Sequence, residues 1–190
     1  DELRDRQDPH SLFLTCADSR IVPNVITNSG PGDLFTVRNV GNLIPADSSD
    51  TSLEAAIAFA VDNLQVRNVV VCGHSSCGAM KALLSGASAG PGLDNWLAHG
   101  LPSLETYRGG HPVRAAAAAA GYDEPAQLSM VNVAVQLQTL QAHPVIRRAI
   151  AERGLTVSGL FFDISTANVL EVTAEGISDI VDQPTAPVTV

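Results

Sequence analysis

Asn68-Val69-Val70-Val71-Cys72-Gly73-His74-Ser75-Ser76-Cys77-Gly78 is the stretch on which the fold of this 190-residue chain turns. Three valines and a cysteine in succession suit a short strand buried on both faces, and the Gly73 to Ser76 segment ends it in a polar turn. A helix is expected to open at about Ser76 and run to Leu84, so the stretch reads as strand, tight turn and helix. Working outward, Leu12 to Ala17 and Leu34 to Val37 are apolar runs of the same kind. Thr51 to Gln65 carries Leu53, Ala56, Ile57, Ala60, Val61 and Leu64 at spacings of three and four, which predicts an amphipathic helix capped by Thr51 or Ser52. Asp123 to Ala142 repeats that spacing with Leu128, Val131, Val135, Leu137 and Leu140, and Pro144 stops it.

A helix from Val145 to Arg153 then leads into a strand from Val157 to Ile164 and an edge strand from Val169 to Val172. Gly86 to Gly92 reads as a loop, and the alanine run Ala115 to Ala120 as a helix or flexible insert. Strands alternating with helices predict an α/β fold, a central mainly parallel β-sheet flanked by helices. Ligands in such folds lie at the carboxyl ends of the strands. The expected organisation is one domain over residues 1–182, with 183–190 as a loosely ordered tail.

Lys and Arg number 11 against 20 Asp and Glu, a formal net charge of −9, with no basic block to neutralise phosphates. Nucleic acid is therefore not expected as a partner. The apolar runs fall far short of the roughly 20 residues needed to cross a bilayer. The chain begins at Asp1, which raises the expectation of a fragment of a longer polypeptide. Three cysteines cannot all pair, and their setting suits a reducing compartment, so the expected location is the cytoplasm or a cytoplasmic domain.

Cys16 closes the first strand, and His74 and Cys77 lie in a His-x-x-Cys turn after the third. If those strands are neighbours, the three side chains converge. Two thiolates and an imidazole fill three of zinc's four tetrahedral positions and leave one open for catalysis. Burial of the cysteines as small apolar residues is the alternative, and spacing alone does not separate the two.

The surroundings separate them. Cys16-Ala17-Asp18-Ser19-Arg20 and Cys72-Gly73-His74-Ser75-Ser76-Cys77-Gly78 resemble the two signature motifs of the β-class carbonic anhydrases. Val37-Arg38-Asn39-Val40-Gly41-Asn42 resembles a third family segment, and Asn132-Val133 with Gln136 a later one. The resemblance implies the family fold, one zinc ion per chain held by Cys16, His74 and Cys77, and reversible hydration of carbon dioxide to bicarbonate and a proton by zinc-bound hydroxide.

Within it, Asp18 accepts a hydrogen bond from the hydroxide and Arg20 holds Asp18 ionised and off the metal, roles that also follow from charge-assisted hydrogen bonding. Gln7 matches the substrate-orienting Gln of the plant-like, open-site subgroup, and Gly78 a backbone donor near substrate. Phe35 and Val40 are expected to line an apolar pocket. Phe13 stands where the closed subgroup carries Trp, which favours the open form. Ala58-Phe59-Ala60 stands where the open subgroup has Glu-Tyr-Ala, so Phe59 lacks a hydroxyl at the pocket. Family members build their sites at a dimer interface, so a homodimer or dimer of dimers is expected, with Phe35, Val40 and Phe59 facing the partner.

Two other readings accompany this one. The scaffold also serves carbon disulfide or carbonyl sulfide hydrolysis, and it occurs as a bicarbonate-sensing module fused to a membrane anion transporter. Cys72 reads as core packing, Trp96 with Leu97 as core or subunit contact, and His10, His99, His111 and His143 as exposed or hydrogen-bonded residues able to pass protons.

Overall fold

The computed structural model describes residue 4 and residues 6–180. The expected tail at 183–190 and the domain limit at 182 lie outside the described residues. The Asn68 run forms β3 (Asn68–His74), flanked by β1 (Ser11–Cys16) and β4 (Thr156–Phe162). All six residues of β1 are buried, as a strand covered on both faces requires. β2 (Leu34–Asn39), β5 (Val169–Val172) and β6 (Ile177–Asp179) complete a sheet of order β2-β1-β3-β4-β5-β6. Pairing is parallel from β2 to β4 and antiparallel from β4 to β6. The expected edge strand Val169–Val172 is covered by β6, so it is internal.

The helices are α1 (Pro23–Ile26), α2 (Thr51–Ala58), α3 (Gly78–Ser85), α4 (Pro91–Leu97), α5 (Leu101–Gly109), α6 (Pro112–Ala119), α7 (Glu124–Ala142) and α8 (Pro144–Arg153). The helix expected over Thr51 to Gln65 is one continuous element in two forms. Asp50 caps α2 by accepting from Ser52 N and Leu53 N, and Phe59–Asn63 widens into a π-turn in which Leu64 N reaches back to Phe59 O. The expected loop from Gly86 to Gly92 ends early, because Pro91 starts α4 with a preset φ. The alanine run lies in α6, whose N-cap is His111.

α7 is the helix that places the site. It lies close on the sheet where glycines remove side chains. A Cβ at Gly73 would sit 2.8 Å from Ser129 Oγ and Val133 Cγ2, and one at Gly159 would sit 2.7 Å from Leu137 Cδ1. Among the described residues no helix is long and apolar enough to cross a membrane.

Candidate metal centre and active site

β1 lies between β2 and β3, so chain direction through the sheet switches between β1 and β3 and leaves a crevice at their carboxyl ends. Cys16 ends β1, His74 ends β3, and Cys77 is the N-cap of α3. The ligand atoms of the three all lie within 4.8 Å of one another, and all three residues are buried.

The donor set fits a zinc ion on its own chemistry. His74 Nδ1 stands 2.8 Å from the Ser75 carbonyl, which can only accept, so Nδ1 carries the proton and Nε2 presents a lone pair. Nε2 is buried with no hydrogen-bond partner. The thiols are coupled. Cys16 is pulled down to about 4 by the hydrogen bond from Cys77, against burial, with His74 and the Gly41 N–H assisting. Cys77 is pushed up, because a hydrogen bond to Cys16, burial and the Cys16 charge all disfavour its own ionisation. Two adjacent thiolates need a cation between them, and sulfur with imidazole suits zinc.

Cys72 is fully buried and its thiol is pushed up to about 12 by that burial, which makes it the core residue expected. Among the described residues all three cysteines are free.

Asp18 stands beside the cluster, its Oδ2 4.0 Å from His74 Nε2, but it is not one of the three mutually close ligand atoms. Arg20 grips it as a fork, Nε to Oδ1 at 2.9 Å and Nη2 to Oδ2 at 2.7 Å, while Arg20 N donates to Oδ1 at 3.0 Å. These bonds hold the Asp18 carboxyl well below the usual carboxylate range. Arg20 Nη2 also donates to Ser76 O, tying the pair to the His74 turn.

A cavity of about 440 Å³ opens beside the cluster, lined in part by Cys16, Asp18, Val40, Gly78, Ala82 and Leu93. A Cβ built on Gly78 meets no heavy atom within 4 Å, so packing does not require glycine there. Phe35 and Phe59 are not among the lining residues. They contact each other, ring centroids 5.9 Å apart, and Phe59 is exposed. Gln7 is exposed and is not among the lining residues either.

Several supporting residues are not assigned a role from the sequence. Arg38 donates to the carbonyls of Cys16 at 3.0 Å and Asp18 at 2.6 Å, fixing the backbone that carries both; its signal is a cation on an otherwise apolar strand end. Ser129 accepts from His74 N at 3.2 Å, from a helix face that also buries Asn132 and Gln136. Ser75 Oγ donates to Asp163 Oδ1 at 3.0 Å and accepts from Ile164 N at 2.9 Å, and Ser75 N donates to Phe162 O at 3.0 Å. The strand-end run Asp163-Ile164-Ser165-Thr166, an acid followed by hydroxyls, was the available signal there.

The carbonic anhydrase family model matches residues 11–169. A carbonic anhydrase of Synechococcus elongatus is 35% identical over 184 residues, covering 91% of this chain and 63% of that protein. One from Pseudomonas aeruginosa is 37% identical over 170 residues, covering 88% of this chain and 74% of its own. Among solved structures, a tetrameric β-carbonic anhydrase of Sordaria macrospora aligns with TM-score 0.76 and 37% identity over 90% of this chain and 83% of that one. A β-carbonic anhydrase of Aspergillus fumigatus aligns with TM-score 0.79 and 34% identity over 91% and 79%. The chain belongs to the β-class carbonic anhydrases, a family of zinc enzymes. It spans just under two thirds of the length of its cyanobacterial relative.

Proposed function

We propose that this chain catalyses reversible hydration of carbon dioxide to bicarbonate and a proton, with an open, plant-like site. The observation that carries the open form is the Arg20 fork, which occupies both Asp18 oxygens and keeps the carboxylate outside the three-ligand cluster. Phe13, fully buried where the closed subgroup has Trp, supports the same reading.

Cys16, His74 and Cys77 would hold the zinc, which when bound supplies the Lewis acidity that makes water a nucleophile near neutral pH. Asp18, ionised and aimed by Arg20, accepts a hydrogen bond from the attacking oxygen and so fixes which lone pair faces carbon. Val40 and Leu93 keep the cavity apolar for a substrate without charge, and Gly78 keeps it open and offers its N–H to a substrate oxygen. Gln7, Phe35 and Phe59 are assigned to the completed pocket of a homodimer. Exposure of Val40 and Phe59 on the monomer supports that assembly. Three free cysteines support work in a reducing compartment such as the cytoplasm.

Zinc content and stopped-flow hydration near pH 8, for the wild type and Cys77→Ala, test the proposal. Stoichiometric zinc with rapid hydration, both lost in the variant, is expected. An inert zinc-loaded wild type would refute it.

A further inference from the structure

Trp96 belongs to none of the segments that supply ligands, yet it is wired to one of them. Its indole Nε1–H donates to the Val40 carbonyl at 2.7 Å. The other end of that peptide group is the Gly41 N–H, which donates to Cys16 Sγ at 3.3 Å. A single peptide thus joins the indole to a ligand sulfur. Hydrogen bonds in series through an amide strengthen one another, because a donor at the carbonyl makes the N–H more positive.

The peptide is held in place from several sides. Asn39 closes a ring on Leu43, donating to its carbonyl at 2.8 Å and accepting from its N–H at 2.9 Å. Asn132 Nδ2 donates to Gly41 O at 3.1 Å from a buried network in which Ser103 and Gln136 both donate to Asn132 Oδ1. Gly41 has φ +83°, and a Cβ there would stand 2.8 Å from Ala79 Cβ, so the residue cannot shift towards α3. The indole itself rests edge-on against His99, centroids 5.5 Å apart. The half-buried Trp96 ring packs against the edge of the core, as expected, while its N–H is directed to the Val40 carbonyl.

We propose that Trp96 is a positioning residue for the metal centre: its indole N–H, acting through the Val40–Gly41 peptide, draws electron density from the Cys16 sulfur and sets its donor strength towards the metal. The inference rests on the Cys16, His74 and Cys77 zinc reading. It goes beyond that reading by extending the centre to a helix that supplies no ligand.

Trp96 is the chain's one tryptophan, so the donor can be altered without a mutation. The full chain is loaded with Co(II) and its thiolate-to-cobalt charge-transfer band recorded for wild type, Trp96→Phe and protein made with 5-fluorotryptophan. Fluorination strengthens the indole donor and barely changes its shape. The band should move to lower energy in Trp96→Phe, where the sulfur becomes more electron-rich, and to higher energy with 5-fluorotryptophan. Substitutions beside ligands cost about 10- to 100-fold in affinity or activity, so zinc-loaded Trp96→Phe, one link further out, should lose about 3- to 10-fold in kcat with KM unchanged.

Bands that do not move, or that move the same way in both proteins, overturn the relay. If Trp96→Phe fails to fold, the fluorinated protein decides alone. A wild type without any thiolate band would instead refute the metal reading, so the two failures are distinguishable.

Discussion

Replacing Asp163 by Ala tests how far the metal site depends on the strand beside it. Asp163 accepts from Ser75 Oγ, Ser165 N, Ser165 Oγ and Thr166 Oγ1, at 2.9 to 3.0 Å. Bonds to a charged acceptor contribute about 1.5–3 kcal/mol each, but the three hydroxyls are partly exposed and re-form bonds with water. A net loss of about 2–4 kcal/mol in unfolding free energy is expected. Ser75 keeps its N–H bond to Phe162 O, so its carbonyl is loosened and not released. His74 loses part of its orientation, and zinc affinity should fall about tenfold, the low end of the range for partners that orient ligands.

The pH dependence has a definite sign. Burial alone would raise the Asp163 carboxyl, but the bonds from Ser165, Ser75 and Thr166 outweigh it and hold the group below its ordinary 3.8. The stability it contributes is therefore present above that value and lost as pH falls through the lower folded value. Denaturant unfolding at pH 7 and pH 3, with zinc affinity by chelator competition, measures both effects. Asp163→Asn, which keeps one acceptor oxygen, should recover most of the loss. An Asp163→Ala protein within about 0.5 kcal/mol of wild type, or with unchanged zinc affinity, would refute the chain of contacts from Asp163 to His74.

Zinc binding at pH 7 should release about one proton per ion, because the Cys16–Cys77 pair shares one thiolate and must give up its remaining proton to bind as two. Calorimetry in buffers of different ionisation enthalpy reads this number, and zero or two protons at pH 7 would contradict the coupling. Arg20→Ala should keep its zinc but lose at least tenfold in kcat/KM as Asp18 is freed to reach the metal; stopped-flow hydration with zinc analysis decides, and full activity would exclude the clamp. Gly78→Ala should leave stability unchanged within about 0.5 kcal/mol, since a Cβ there meets nothing, while hydration falls because Gly78 lines the cavity beside the metal ligands. Gly41→Ala should be the opposite case, destabilised by about 2–4 kcal/mol through a left-handed φ and contact with Ala79, whatever the substrate.

The parallel half of the sheet was legible because buried strands need uninterrupted apolar runs, and Asn68 to Gly73 has one. The ligands were legible for a related reason: Cys16, His74 and Cys77 sit at strand ends and a helix cap, where sequence position and spatial position coincide. Less could be read where a backbone conformation decides the element. The π-turn at Phe59–Asn63 has the same spacing as a regular helix, and α4 starts inside a Gly-rich stretch because of Pro91. β6 is three residues long and half exposed, too short for any periodicity to show.

At the site the same division has a chemical meaning. The reactive residues fall in two short segments, Cys16 with Asp18 and Arg20 after one strand and His74 with Cys77 after another, so within each segment residue type and spacing carry the information. The groups that orient them act across the fold. Ser129 reaches His74 over 55 residues of chain, Asp163 reaches Ser75 over 88, and Trp96 reaches Val40 over 56. A hydroxyl, an acid or an indole at such a distance has no local pattern, and only the packing of α7, β4 and α4 against the crevice gives each its target. The reactive set is therefore written locally and its geometry globally, so variation at Trp96 or Asp163 can retune this centre while every ligand stays in place.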